Sequence, residues 1–244
     1  MNTSDPGRKI ANTAYDLYRG YEQWKRWDKP FTLSADESSY FQGELTNLKI
    51  YDADVLEIGF GSGSFLAWAR QRGARISGTE INETLLDAAR AFGVELLPAD
   101  FERVATLNSA RFDTIVAFDI FEHFGLADVV KRLYAIEVML KPGGNLIMRF
   151  PNAQSPFGLA PQNGDPTHLS ALSKSVFEQL IQGMGFAVVR YAPTCRITSG
   201  SLPKRVVRTV RYVLRSLVSA MLNFIYSQNI PWDPVVVLVL RKAQ

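Results

Sequence analysis

The chain reads as an α/β protein built on a doubly wound parallel sheet, and three observations predict it. Short apolar runs alternate with helical patterns from residue 54 onward, the rhythm of strand–helix–strand units. The first run, Val55-Leu56-Glu57-Ile58, passes into glycines at alternate positions, Gly59, Gly61 and Gly63, and then into an apolar helix pattern. Lys141-Pro142-Gly143-Gly144 is a stop-and-turn between a helix pattern and a further strand pattern. In such sheets ligands bind at the carboxyl ends of the strands, near the reversal of strand order.

The elements follow in order. Residues 1–30 are polar and aromatic, with Tyr15, Tyr18, Tyr21, Trp24 and Trp27 at near-helical spacing. They read as a helix packing its rings on the domain, or as a flap over a ligand. Ser34–Leu48 reads as a helix with Ser34 as N-cap and Glu37 three residues on. Asp54–Ile58 is a strand and Ser64–Gln71 a helix; Arg75–Thr79 is a strand and Glu83–Ala91, with Ala88 and Ala89, a helix. Val94–Leu97 is a short strand, Phe112–Phe118 an apolar strand and Leu126–Leu140 a helix. Asn145–Phe150 is a strand, Ser173–Met184 a helix, Phe186–Tyr191 a strand and Val235–Leu240 the final apolar strand. This organisation gives an N-terminal helical cap (1–50), a core (51–192), a helical insertion (193–230) and a closing core strand (231–244).

Composition places few limits and one useful bound. The chain has 244 residues, 47% hydrophobic and 21% charged, ordinary for a globular domain. Its one cysteine, Cys195, excludes an internal disulfide and a cysteine-rich zinc site. The first residues, Met1-Asn2-Thr3-Ser4-Asp5-Pro6, lack a signal-peptide core, so a cytoplasmic location is expected. The net charge of +3 is unevenly placed. Lys204, Arg205, Arg208, Arg211 and Arg215 stand in one acid-free segment, which leaves the remainder slightly negative. Basic groups are not spread beside aromatics over a face, so no nucleic-acid partner is expected.

The glycine turn is the first chemical signal. Glycines there let the backbone bend sharply, and the following helix points free N–H groups at whatever occupies the turn. A dinucleotide fingerprint would place its last glycine at Ser64, and Glu57 suits a positively charged amino group better than a pyrophosphate. Acid-any-glycine-any-glycine-any-glycine resembles the first motif of the class I S-adenosylmethionine-dependent methyltransferases. That resemblance implies a Rossmann-like seven-stranded sheet with its last strand antiparallel, and S-adenosyl-L-methionine as cofactor. It assigns cofactor binding to Glu57, Gly59, Phe60, Gly61 and Gly63, to Glu80 and Ile81 after the second strand, to Asp100 and Phe101 after the third, and to Phe118. Glu80 would accept ribose hydroxyls, Asp100 the adenine amino group, and Phe101 would cover the ring. An NAD-dependent oxidoreductase and a non-catalytic cofactor-binding module are the other classes this turn admits.

Phe118-Asp119-Ile120-Phe121-Glu122-His123 is the second signal, a strand end that releases two acids and a histidine where the methyl group should lie. Histidine is the side chain best poised to take a proton near neutral pH. The stretch resembles the Glu-Val-any-Glu-His segment of the ubiquinone-biosynthesis O-methyltransferases. That family implies a divalent cation, magnesium, at Asp119, Glu122 and His123, although Asp119 and Ile120 replace the family's Glu-Val. The sequence reading makes His123 the base, with Glu122 or Asp119 orienting it. Asp165 and His168, in the long loop 151–170, form a second pair for acceptor binding or proton removal. That loop's Gly164-Asp165-Pro166-Thr167-His168 run resembles methyltransferases found with bacterial surface-polysaccharide genes. The expected acceptor is accordingly a sugar hydroxyl on a glycan or glycolipid precursor. A quinone-type or other lipophilic small molecule is the alternative.

The last signal is amphipathic. Pro203 could open a helix of roughly twenty residues. Lys204, Arg208, Arg211, Arg215, Ser219 and Asn223 share one face, and Val206, Val207, Val210, Leu214, Leu217, Val218, Met221, Leu222 and Ile225 the other. This is an interfacial pattern, with cations toward lipid phosphates. The expected partner of 203–226 is an anionic membrane surface at the inner face, or a second subunit in a homodimer.

Overall fold

The computed structural model describes Lys25, residues 27–197 and residues 199–244. The aromatic run Tyr15, Tyr18, Tyr21 and Trp24 lies outside the described residues. Helix α1 (Ala35–Glu44) opens on a complete capping box, with Ser34 accepting from the Glu37 amide and Glu37 accepting from the Ser34 amide. It ends four residues before the predicted Leu48. Thr46 Oγ1 donates to the Gln42 carbonyl at 2.6 Å and offers that group a partner outside the helix ladder.

Seven strands form one sheet in the order β3-β2-β1-β4-β5-β7-β6. They are β1 (Asp54–Ile58), β2 (Arg75–Thr79), β3 (Glu95–Leu96), β4 (Phe112–Phe118), β5 (Leu140–Pro151), β6 (Phe186–Pro193) and β7 (Val235–Lys242). β7 runs antiparallel to both β5 and β6, and the other pairings are parallel. The seven-stranded sheet with its last strand antiparallel is therefore present. The remaining helices among the described residues are α2 (Ser64–Arg70), α3 (Glu83–Phe92), α4 (Leu126–Met139), α5 (Leu159–Asn163), α6 (Lys174–Leu180) and α7 (Leu202–Tyr226).

Alternation along each strand feeds two apolar layers. Leu56, Ile58, Ile115, Leu146 and Leu238 pack with Val129, Leu133 and Ile136 of α4 and Phe177 of α6. Val55, Val116, Ile147, Val237 and Val239 pack on the other face with Tyr40 and Phe41 of α1, Phe65 and Trp68 of α2, and Leu85 of α3. Both faces are covered, which is why the strands read as near-continuous apolar runs. Strand order reverses between β1 and β4, so their carboxyl ends splay and open a crevice there.

Several element ends differ from the expected ones. β5 pairs from Leu140 rather than Asn145, because Leu140 faces Phe112 before a register shift at the Pro142–Gly144 turn. The 151–170 loop contains a short 3-10 turn, Pro156–Gly158, and α5.

Candidate active site

A cavity of about 670 Å³ opens at the β1/β4 crevice. Its floor is the glycine turn. Gly61 has φ of +50°, and a Cβ there would lie 2.8 Å from the Trp27 ring. Gly59 has φ of +62°, and its Cβ would lie 2.2 Å from Ile120 Cδ1. Both positions are closed to larger residues by backbone conformation and by side chains that lie on them. Trp27, from the N-terminal aromatic run, lines the cavity above this turn.

Two acids stand at the floor. Glu57 on β1 is buried, and its Oε2 has no hydrogen-bond partner among the described residues. Burial, reinforced by the charge of Glu80, raises its carboxyl well above the usual range. Glu80 follows β2. One of its oxygens accepts from the Gly61 amide at 3.0 Å, and the other from the Ile81 and Asn82 amides at 2.7 and 3.1 Å. Each carboxylate oxygen has two lone pairs, so the oxygen facing Gly61 retains one for a ligand hydroxyl.

The far wall follows β4. Asp119 has φ of +56°, an uncommon conformation for a residue with a side chain. Its carboxylate is held by Arg149 of β5, with Nε 2.9 Å from Oδ1 and Nη2 on Oδ2. The pair is bidentate, and the Arg149 guanidinium also lies over the Phe118 ring at 5.1 Å. Asp119 is thereby the counter-ion of Arg149, which corrects its expected role as a partner of His123.

His123 lines the cavity and is held from behind. Its Nδ1 lies 2.8 Å from Thr167 Oγ1, which in turn donates to Asp165 Oδ1 at 2.5 Å. A hydroxyl has one proton. With that proton given to Asp165, Thr167 accepts from His123 Nδ1–H, which leaves the lone pair on Nε2. Burial, then the neighbouring His168, lowers the imidazole to about 4. His123 is therefore neutral across the physiological range. His168 stacks edge-on against it at 4.7 Å and donates through Nδ1 to the Gln162 carbonyl. Its Nε2 is 4.0 Å from both Glu122 Oε1 and Asp165 Oδ2. Glu122 is fully buried, and its carboxyl is raised, first by burial and then by Asp119.

The expected magnesium set does not assemble, because Asp119 turns to Arg149. Among the described residues, Glu122, His123 and His168 bring ligand atoms within 4.8 Å of one another. Two imidazoles and one carboxyl are a poor donor set for magnesium, which takes oxygen ligands.

Of the predicted cofactor residues, Glu57, Gly59, Phe60, Gly61, Glu80, Ile81 and Phe118 line the cavity. Gly63 instead caps α2, with Phe31 against it. Asp100 pairs with Arg103 at 2.9 Å, and Phe101 is buried in the core below a 3-10 turn; their neighbour Ala99 lines the cavity in their place. Of the predicted catalytic residues, Asp119 and His123 line it, while Glu122, Asp165 and His168 stand behind. Sequence reading missed Arg149, Thr167, Tyr40 and Phe41. Thr167 carried a signal: Asp-Pro-Thr is an Asx-turn pattern, and Asp165 Oδ1 does accept the Thr167 amide at 3.0 Å.

Comparison with known proteins places this geometry. Residues 56–148 match the family described as "Methyltransferase domain". The chain is 26% identical over 99 residues to a ubiquinone biosynthesis O-methyltransferase of Alkalilimnicola ehrlichii, covering 38% of this chain and 39% of that one. It is 32% identical over 96 residues to its counterpart from Azoarcus sp., covering 37% and 40%. The chain thus spans about 40% of the length of these curated relatives. A SAM-dependent methyltransferase from Archaeoglobus fulgidus superimposes with a TM-score of 0.64 at 18% identity, covering 92% of this chain and 99% of that one. The protein has the fold of the class I S-adenosylmethionine-dependent methyltransferases, and residues 56–148 are the part that matches the methyltransferase-domain family.

Proposed function

We propose that the protein is an S-adenosylmethionine-dependent O-methyltransferase acting on a hydroxyl of a quinone-type or other lipophilic small molecule. One observation carries this reading. Across a single cavity, a buried carboxyl with an unpartnered oxygen, Glu57, faces a neutral histidine, His123, held in one tautomer.

The floor fits the cofactor. Glu57 Oε2 lacks a donor, and an amino group supplies one; the spare lone pair of Glu80 suits a ribose hydroxyl. Gly59 and Gly61 keep the backbone bare beside them. Once bound, the cofactor contributes an electrophilic methyl group on a sulfonium. The chain's own part is to hold the acceptor oxygen in line and to take its proton. His123 Nε2 is the acceptor for that proton, with Thr167 and Asp165 holding the ring. The Arg149–Asp119 pair fixes the wall between them.

The acceptor class rests on the lining and on the relatives. Trp27, Tyr40, Phe41, Phe118 and Phe124 give the cavity flat apolar walls, which favour a planar lipophilic ligand and exclude water. The relatives over this segment are ubiquinone biosynthesis enzymes. Both favour the lipophilic acceptor over the sugar hydroxyl expected from the loop motif.

The test pairs calorimetry with S-adenosylhomocysteine and methyl release against a panel of quinol-type phenols and simple sugars. Methylation of phenols is expected. Thr167→Val should cut turnover by roughly a hundredfold, the lower end of the range for a positioned base, with S-adenosylhomocysteine affinity kept. Methylation confined to sugars would overturn the acceptor. NADH binding with no response to S-adenosylhomocysteine would overturn the reaction.

A further inference from the structure

The helix α7 inverts the expected arrangement of its faces. It runs for 25 residues, and none of them is buried. Its polar side chains turn toward the body. Arg208 pairs with Asp36, Arg215 with Asp233, and Tyr212 Oη accepts from the Ile197 amide. Ser216 accepts from Arg196, and Asn223 accepts from Trp232 Nε1 and donates to the Ile230 carbonyl. The apolar face therefore points outward. Val206, Val210, Leu214, Leu217, Met221 and Phe224 form an exposed stripe, with Phe224 87% exposed. At 1.5 Å per residue the helix is about 37 Å long. A monomer rarely leaves so long an apolar strip in water.

What covers that strip can be read from its borders. On a helical wheel, Lys204 and Arg211 flank one side of the stripe near its N-terminal half, and Arg205 flanks the other. All three are exposed, and the helix contains no acid. A second copy of α7 brings no acid to meet these cations, since the helix carries none. An anionic bilayer meets both features at once, taking the stripe into the acyl boundary and the cations among lipid phosphates. No helix among the described residues is long and apolar enough to cross a membrane, so α7 would lie in the surface.

We propose that α7 docks the protein on an anionic membrane through its outward apolar face, with Lys204, Arg205 and Arg211 at the headgroup level. The inward ion pairs then acquire a purpose. Asp36 precedes Glu37, Tyr40 and Phe41 of the cavity wall, so Arg208 fastens the docked helix to the element that roofs the site. The helix also leaves and rejoins the sheet at its carboxyl edge, where Val235 faces Pro151 and Pro193 faces Val236. A docked α7 therefore holds the cavity's own edge of the sheet near the bilayer. The proposal goes beyond the methyl-transfer reading and is scored separately from it.

The test is co-flotation of the full chain with vesicles of phosphatidylcholine alone or mixed with phosphatidylglycerol, alongside S-adenosylhomocysteine calorimetry. Binding is expected only to the mixed vesicles. Each cation near such a surface is worth about fivefold in partitioning, so the K204E/R205E/R211E variant should bind on the order of a hundredfold more weakly. Val210→Glu with Leu217→Glu should also release the protein, while S-adenosylhomocysteine affinity stays unchanged in both variants. Absence of binding to mixed vesicles would overturn the proposal. So would binding insensitive to both variants, or a solution dimer that the Val210/Leu217 variant splits and that ignores vesicles. Loss of S-adenosylhomocysteine binding with vesicle binding intact would count against the enzymatic reading alone.

Discussion

The two ends of the same sheet treat their acidic side chains in opposite ways. At the amino end, Asp113 accepts from Lys49 at 2.8 Å, Lys141 at 2.7 Å and the Asp54 amide at 3.0 Å. Asp54 accepts twice from Arg75 and once from Lys141. The Arg75 bonds hold Asp54 well below the usual carboxylate range; for Asp113, Lys141 and Lys49 outweigh an opposing effect of burial. At the carboxyl end, burial dominates instead. It raises Glu57 and Glu122, and it lowers His123. Asp119 there has a full cationic partner, Arg149, and that pair builds the wall. The lesson is a division of labour: one end spends its charges on one another, and the other buries its titratable groups beside the cavity, where burial shifts them.

The contrast breaks most visibly on rate. His123→Ala should lower methyl transfer by roughly a hundred- to ten-thousandfold, the span of a positioned base, with S-adenosylhomocysteine affinity and thermal midpoint close to the parent. Near-normal turnover would move the base elsewhere. Asp113→Ala is the counterpart at the other end. It should cost about 1–2 kcal/mol of unfolding free energy, since it leaves the Asp54 amide without its acceptor while Lys141 keeps Asp54. Urea titration reads this directly, and a loss of turnover in the folded fraction would erase the division between the ends.

Glu57→Gln gives a smaller and two-sided effect. Removing an unpartnered ionisable group should raise stability by about 1 kcal/mol, while cofactor affinity falls about tenfold, or 1.4 kcal/mol. The raised carboxyl adds a sharper readout. If an amino group binds the ionised form, S-adenosylhomocysteine binding releases a proton, and its heat varies with the buffer's ionisation enthalpy. The E57Q variant should lose that buffer dependence. Equal proton release in both proteins would remove Glu57 from the amino-group site.

The fold was legible because every strand is a short apolar run and every turn carries glycine, proline or a cap. Seven such runs gave seven strands, although several ends are displaced, as at β5, which pairs from Leu140. The cofactor floor was legible for the same reason: Glu57, the glycines and Glu80 lie on or just after consecutive strands. The catalytic wall was only half legible. Asp119 meets a partner 30 positions away, and His123 one 44 positions away, and no spacing rule reports such encounters. For α7, periodicity defined two faces but not their orientation. Asp36, Asp233 and Trp232, distant in sequence, offer the polar face its partners and so turn it inward.

The smallest predicted effect separates the two ends by pH. Asp54 and Asp113 have folded values below their unfolded ones, so their stabilisation is complete above about 4 and is lost as pH falls through the folded values. His123 acts earlier. Its ordinary value is 6.5 and its folded value about 4, so the unfolded chain binds its proton first. Stability linked to His123 is full above pH 6.5 and declines as pH falls toward 4. Between pH 7 and pH 5.5 this amounts to about 1 kcal/mol, from 1.36 kcal/mol per unit. The raised carboxyls of Glu57 and Glu122 act in the opposite direction, equally in parent and variant. Chemical denaturation at those two values should therefore show the His123 loss as a difference between the parent and His123→Gln, whereas Asp113→Ala should keep the parent's pH dependence. A loss of equal size in the His123 variant would mean the imidazole is charged in the folded protein, and the neutral base at the carboxyl end would go with it.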